Sequence, residues 1–282
     1  MKSDFINFHV DMMEAKDTDP QNPCLKYICD RFELNIEQRY WLAFLFGTCY
    51  CAPTVYYIYN EFPDFETASV SRMEKWWKEN KSKLLFQTDR LRIKTANKFV
   101  ETFQSYRNLI SLDQHSTFSR LKTYQEFNDF ALSIKNFGRF SSFIYLELLS
   151  VLTNTNIYPD KLDVKNASTV RKGLCDVFNI EFNETISDAQ AIGLEGKFKQ
   201  LLSAVRNYVP TNVWNLETTL CAYKKKIEGK RYVGYYIERN RIELLKLSGI
   251  SGVNWKPLWD FRRETFSRKY LNEFNTPDRS SL

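Results

Sequence analysis

The sequence predicts an all-α protein, and three observations carry that expectation. Apolar residues recur three and four positions apart through most of the 282 residues, the period of a helix with one buried face. Period-two alternation, the mark of a half-buried strand, is scarce. Prolines fall where helix interiors should end, at Pro53, Pro63, Pro159 and Pro210, because proline lacks the amide that a helix interior uses.

Taken in order, the spacing predicts helices over 24–32, 36–50, 54–61 and 69–78. A further helix over 94–109 puts Phe99, Val100, Phe103 and Tyr106 on one stripe. Then come 118–134, 140–152, 169–178, 194–208, 214–227, 232–247 and 258–272. Residues 82–93 read as a short strand or an extended loop. Ser168 is placed to cap the helix that follows it, its hydroxyl accepting from an otherwise orphan amide. The weakest seam, 179–196, divides an N-terminal helical lobe over 1–180 from a smaller C-terminal lobe over 181–275 packed on it, with a tail over 276–282.

Composition narrows the class. Hydrophobic residues make up 43% of the chain while Gly and Pro number only 9 and 8, a globular balance with little disorder. Aromatics reach 16%, and most of these rings belong in a core, where each removes a large apolar area from water. The net charge of +6 is compatible with a polyanionic partner. Six cysteines lack paired metal-ligand spacing and only two histidines occur, His9 and His115, which argues for reduced thiols and against a zinc site. Acids near the N-terminus argue against a signal peptide, and the longest apolar run, 40–46, is too short for a bilayer. No membrane partner is expected.

Three constellations could carry chemistry. In Lys135-Asn136-Phe137-Gly138-Arg139, the glycine suits a sharp interhelical turn needing positive φ. Ser141 and Ser142 then occupy a first helical turn whose free amides favour an anion, with Lys135 and Arg139 as phosphate contacts. An ordinary glycine-bounded helix end fits the same residues. The second is Trp76-Trp77-Lys78 with Lys81, Lys83, Arg90, Arg92 and Lys94: aromatics beside cations suit stacked bases and phosphates. The embedded Asp89-Arg90 sets a carboxylate beside a guanidinium. Two adjacent tryptophans suggest that at least one leaves the core stripe, though a solvated charge run is the plainer alternative. The third puts Tyr232, Tyr236, Arg239 and Glu243 on one helical face, suited to a zwitterion or phosphate, or equally to a surface Arg239–Glu243 ion pair.

Several chemistries are excluded by missing motifs. There is no G-x-x-x-x-G-K-[ST] phosphate loop, G-x-G-x-x-G fingerprint or H-E-x-x-H, and no G-x-S-x-G elbow. Acid–base work therefore falls to Asp, Glu, Lys or Tyr.

The Gly138 turn, with Asp160 and Asp163 lying 22 and 25 residues after it, resembles the hairpin and catalytic aspartate of helix-hairpin-helix DNA glycosylases in a degenerate form. Phe140 stands where bifunctional glycosylases carry a Schiff-base lysine, so imine chemistry is not expected. More widely, R-Y-W-L-A-F-L-F-G-T-C-Y, F-P-D-F-E, F-Q-T-D-R, F-G-R-F-S-S-F-I-Y-L-E and G-Y-Y-I-E-R-N-R-I-E resemble the phage amino acid:DNA transferases, the alpha-glutamyl/putrescinyl thymine pyrophosphorylases. That resemblance implies a DNA glycosylase-like helical fold and a DNA-modifying enzyme in the cytoplasm of an infected bacterium. Its substrate would be double-stranded phage DNA in which a separate 5-hydroxymethyluracil DNA kinase has pyrophosphorylated the modified uracil. An amino acid or other amine would displace the pyrophosphate.

For that reaction the expected general base is Asp163 or Asp89. Arg90, with Arg92, Lys94 and Arg139, would meet the pyrophosphate, while Tyr236, Arg239 and Glu243 would hold the amino acid. Lys135, Gly138, Arg139, Ser141, Ser142, Trp77 and Lys81 would face DNA. Mg²⁺ on the pyrophosphate is compatible with the chemistry, but no acidic cluster compels it. The alternatives are a base-repair glycosylase using Asp163 and a non-catalytic helical DNA-binding subunit.

Overall fold

A computed structural model of the chain describes residues 2–87, 90–110 and 113–271. Among these residues every regular element is helical: α1 (Ser3–Glu14), α2 (Gln21–Arg31), α3 (Ile36–Cys49), α4 (Ala52–Glu61), α5 (Val70–Asn80), α6 (Leu91–Thr95), α7 (Phe99–Leu109), α8 (Gln114–Phe118), α9 (Tyr124–Ser133), α10 (Arg139–Thr153), α11 (Ser168–Phe178), α12 (Asp188–Val205), α13 (Val213–Ile227), α14 (Tyr235–Ser248), α15 (Lys256–Thr265) and a short 3-10 turn, Arg268–Tyr270. The all-α expectation holds. Local chemistry sets many of the starts: reciprocal capping boxes pair Asn35 with Gln38, Thr123 with Glu126, Ser187 with Gln190 and Asn212 with Asn215, each satisfying amides that a helix terminus leaves orphaned.

The chain divides into two units that interleave along the sequence. One takes Met1–Pro20, Tyr158–Arg239 and Thr265–Leu282; the other takes Gln21–Ile157 and Asn240–Glu264. The seam expected at residue 180 falls between α11 and α12, inside the first of these units. The division that does occur passes through α14.

In the first unit, Phe5, Phe8 and Met12 of α1 join Val170, Leu174 and Val177 of α11, Phe198 and Leu201 of α12, and Leu216, Leu220 and Tyr223 of α13 in one core. Helices α11 and α13 touch so closely that a Cβ added at Gly173 would lie 2.3 Å from the Leu220 carbonyl oxygen. In the second unit, α3 is buried on every side from Tyr40 to Cys49, as a central helix must be, and α10 runs beside it. Gly47 permits that approach, since a Cβ there would meet Tyr145 Cβ at 2.7 Å. Rings fill the rest. Phe44 stacks on Tyr106 at 4.0 Å, and Trp41 lies against Phe44, Phe65 and Phe103.

Several local expectations are corrected. The sequence reading missed α1, although Phe5, Phe8 and Met12 carry helical spacing. Residues 82–87 form a loop, one of the two readings offered for 82–93, whereas 91–95 form α6. The helix expected over 118–134 begins only at Tyr124, as α9, while Phe118 ends the separate α8. Ser168 is the first helical residue, and Ala167 takes the cap position without a side-chain bond.

Candidate functional site

In the second unit, the loop after α5 is stitched to its neighbours by backbone chemistry. Thr54 Oγ1 donates to the Leu85 carbonyl at 2.7 Å and accepts from Leu85 N at 3.0 Å, and Gln87 N donates to the Cys49 carbonyl at 3.3 Å. These bonds carry Gln87 and Arg90 into the interior, where both are buried. Gln87 Nε2 donates to Glu243 Oε1 of α14 at 2.5 Å. Arg90 N donates to the Gln87 carbonyl at 2.7 Å, and the Arg90 guanidinium donates to Ser141 Oγ in the first turn of α10. Phe140 lies under that guanidinium at 6.0 Å and edge-on to Tyr50 at 5.5 Å. Three residues expected at a site, Arg90, Ser141 and Glu243, are thus linked through a fourth, Gln87, to which the sequence reading gave no role. A buried guanidinium beside a helix N-terminus is a fixed positive field, suited to an anion.

The hairpin that presents Ser141 is built differently from the expectation. Gly138 has φ −136°, extended backbone open to any residue, and a Cβ there would meet nothing within 4 Å. The left-handed residue is Asn136, with φ 69°, and its side chain donates to Glu101 Oε2 at 2.9 Å and Thr102 Oγ1 at 3.1 Å. Lys135 pairs with Glu101 at 2.5 Å. Its proposed phosphate contact therefore competes with a carboxylate, whose pKa is lowered by Asn136 and Lys135. Ser142 is buried and donates to Asn128 Oδ1 at 2.6 Å, so its hydroxyl faces the protein. Arg139 is half-buried, and its guanidinium makes no hydrogen bond or ion pair among the described residues.

The tryptophan–lysine constellation is mostly core. Trp76 and Trp77 are both buried; Trp77 stacks on Phe99 at 4.5 Å and donates from Nε1 to Asn97 Oδ1 at 2.6 Å. It offers no ring to a base. Lys81 reaches the same Asn97 oxygen at 3.4 Å. Lys94 Nζ donates to the Leu84 carbonyl at 2.6 Å, and burial lowers its pKa. Arg92 is exposed, and its guanidinium makes no hydrogen bond or ion pair among the described residues. Asp89 lies outside the described residues.

Asp163 belongs to the first unit. It sits half-buried in the left-handed region, φ 56°, and its carbonyl accepts from Asn166 N and Ala167 N, both at 3.0 Å. Its carboxylate accepts from Asn166 Nδ2 at 2.9 and 3.1 Å. It lines a concavity of about 620 Å³ with Lys161, Lys165, Asp188, Glu195 and Lys199, in which Lys165 pairs with Asp188 at 2.6 Å. Among the described residues no group of three or more His, Cys, Asp or Glu is placed to hold a metal ion, and no helix is long and apolar enough to cross a membrane.

Residues 15–232 match the amino acid:DNA transferase family, more than half of the chain. The chain belongs to that family. It is also similar to a serinyltransferase of Salmonella phage ViI, at 26% identity over 263 aligned residues, covering 80% of this chain and 63% of the relative. This family member thus spans less than two thirds of that relative's length.

The matched segment contains Arg90, Ser141 and Asp163 and ends before Tyr236, Arg239 and Glu243. The expected four-residue face on α14 is shorter than proposed, because Tyr232 precedes the helix. Tyr236 and Arg239 belong to the first unit and Glu243 to the second. Tyr236 is half-buried, its hydroxyl pKa pushed up by burial, with Arg231 stacked on the ring at 5.8 Å. Two buried groups of this transferase-family chain were given no role by the sequence reading. Asp17 accepts from Gly234 N at 2.7 Å and Ile237 N at 2.9 Å, capping α14 from a distant part of the chain. His9, in the unpredicted α1, is held by Thr219 at 2.9 Å and Thr211 at 2.8 Å, and burial lowers its pKa to about 4. Partners more than two hundred positions away leave no local signal.

Proposed function

We propose that this chain joins an amino acid, or another amine, to the 5-methylene of pyrophosphorylated 5-hydroxymethyluracil in double-stranded phage DNA. The family match over residues 15–232 carries this reading, and the phage serinyltransferase relative makes serine the first donor to try. The amine nitrogen bonds to the methylene carbon while the carbon–oxygen bond to pyrophosphate breaks. The bonding pair departs with pyrophosphate, and a carboxylate takes the amine proton. The target base must leave the stack at a cost of a few kcal/mol. Because the sequence has no phosphate loop, a separate kinase supplies the pyrophosphorylated base.

Arg90, anchored on Ser141, provides preorganised positive charge for the leaving group. Exposed Arg92 and half-buried Arg139 meet DNA phosphates. Glu243, oriented by Gln87, holds the incoming amine and takes its proton. The test incubates the protein with pyrophosphorylated 5-hydroxymethyluracil DNA and a panel of amino acids headed by serine. The DNA is then digested to nucleosides for mass spectrometry. The expected product is a nucleoside heavier by the amine, with kcat collapsing in Arg90→Ala and in Glu243→Gln. DNA binding without any new nucleoside would overturn the reading, and abasic-site release would replace it with a glycosylase.

A further inference from the structure

The densest run of cations in the chain lies in the first unit. Lys224-Lys225-Lys226-Ile227-Glu228-Gly229-Lys230-Arg231 sets five of them against one acid. A glycine cap closes α13 inside that run. Gly229, at φ 73°, donates from its amide to the Lys226 carbonyl at 2.9 Å, and Lys230 N donates to the Lys225 carbonyl at 2.8 Å. This pair of bonds satisfies carbonyls that a helix end leaves orphaned, and it holds Lys230 beside the last turn.

Glu228 is the centre of the cluster. Its Oε1 lies 3.1 Å from Lys224 Nζ and 4.0 Å from Lys172 Nζ of α11, and its Oε2 accepts from Lys230 Nζ at 3.1 Å. No other carboxylate pairs with these three lysines among the described residues. One carboxylate therefore faces three ammonium groups. All three side chains reach solvent, with exposures of 40% for Lys172, 22% for Lys224 and 67% for Lys230. Lys226 turns instead to Asp4 at 4.0 Å and to the Phe8 ring at 5.0 Å. Cations in a last turn offset the negative end of a helix, which accounts for Lys224. It accounts for neither Lys172, from another helix, nor Lys230, beyond the cap.

We propose that Lys172, Lys224 and Lys230 form a surface on which the phosphate backbone of duplex DNA docks. Duplex DNA carries one negative charge per about 1.7 Å of its axis, and lysine meets phosphate as a point charge. The choice of DNA as the partner rests on the transferase reading. Backbone contacts position a protein without reading bases, so modified and unmodified duplexes are held alike.

Fluorescence anisotropy of the full chain with pyrophosphorylated and unmodified duplexes, over a salt series, tests the surface. The triple variant Lys172→Gln, Lys224→Gln, Lys230→Gln should weaken binding of both duplexes at least about tenfold. Its slope of log affinity against log salt should fall by about 0.9 per lost contact. Glu228→Gln removes the only acid of the cluster and should tighten both duplexes about twofold or more. Ion pairs that serve stability alone give another pattern: Glu228→Gln lowers the melting temperature and leaves DNA affinity unchanged. That pattern overturns the proposal, as does an unaltered slope in the triple variant or a loss confined to the pyrophosphorylated duplex. DNA binding that yields no new nucleoside would sink the transferase reading and leave this surface standing.

Discussion

Burial raises the Asp17 pKa from 3.8 to about 7, although the amides of Ile237, Gly234, Tyr236 and Tyr235 oppose that shift. The folded state therefore holds a proton that the unfolded chain releases between those values. Stability from this group is fully present below pH 3.8 and is lost as pH rises to about 7, by about 1.4 kcal/mol per unit through the middle of the window. Asp17→Asn cannot titrate, so urea denaturation of both proteins should show wild type losing ground to the variant from pH 5 to 7, then a constant difference. A flat difference across that window would show that the amides win. Trp77 makes the opposite kind of case. Stacked on Phe99 and bonded to Asn97, it should cost about 3–5 kcal/mol as Trp77→Ala. Any fall in DNA affinity should disappear once the folded fraction is corrected for, as measured by denaturation beside a binding titration.

At the scale of elements, glycines on different helix faces have opposite consequences. Gly173 lets α11 approach α13, and Gly173→Ala drives a methyl into the Leu220 carbonyl. The expected loss is about 1–3 kcal/mol, typical of overpacking, despite alanine's better helix propensity. Gly196 of α12 faces open space, so Gly196→Ala should gain up to about 1 kcal/mol. Thermal melts of the two variants check both signs. The α9–α10 hairpin also shows what local reading can reach. The turn, the following helix and Arg139 were legible from Asn136 to Ser142. Which residue takes the left-handed conformation was not, because Asn136 is held there by Glu101 and Thr102 of α7.

Across the whole molecule, the charge excess of +6 gains meaning from which cations remain available. Lys94, Lys81 and Lys135 are engaged by protein oxygens, whereas the guanidinium groups of Arg92 and Arg139 make no hydrogen bond or ion pair among the described residues. Arg92→Ala and Arg139→Ala should each weaken DNA binding while leaving the melting temperature unchanged. Each should also reduce the slope of log affinity against log salt by about 0.9 per lost phosphate contact. Fluorescence anisotropy over a salt series provides the measurement, and an unchanged slope would remove these arginines from the DNA surface. Helix content was legible at this scale because apolar periodicity is local. The interleaving of two units was not, since residues 1–20 and 158–239 meet only after folding.

The sequence by itself determined the helical class, most helix positions, and the family to which the chain belongs, because spacing and short motifs are properties of neighbouring residues. Only the tertiary structure decided which charged and aromatic groups are available. It turned both tryptophans inward, moved the left-handed turn from Gly138 to Asn136, and tied Arg90 to Ser141 and Gln87 to Glu243. Desolvation and hydrogen-bond satisfaction depend on partners dozens to hundreds of positions away, and those partners are set by packing rather than by the local pattern.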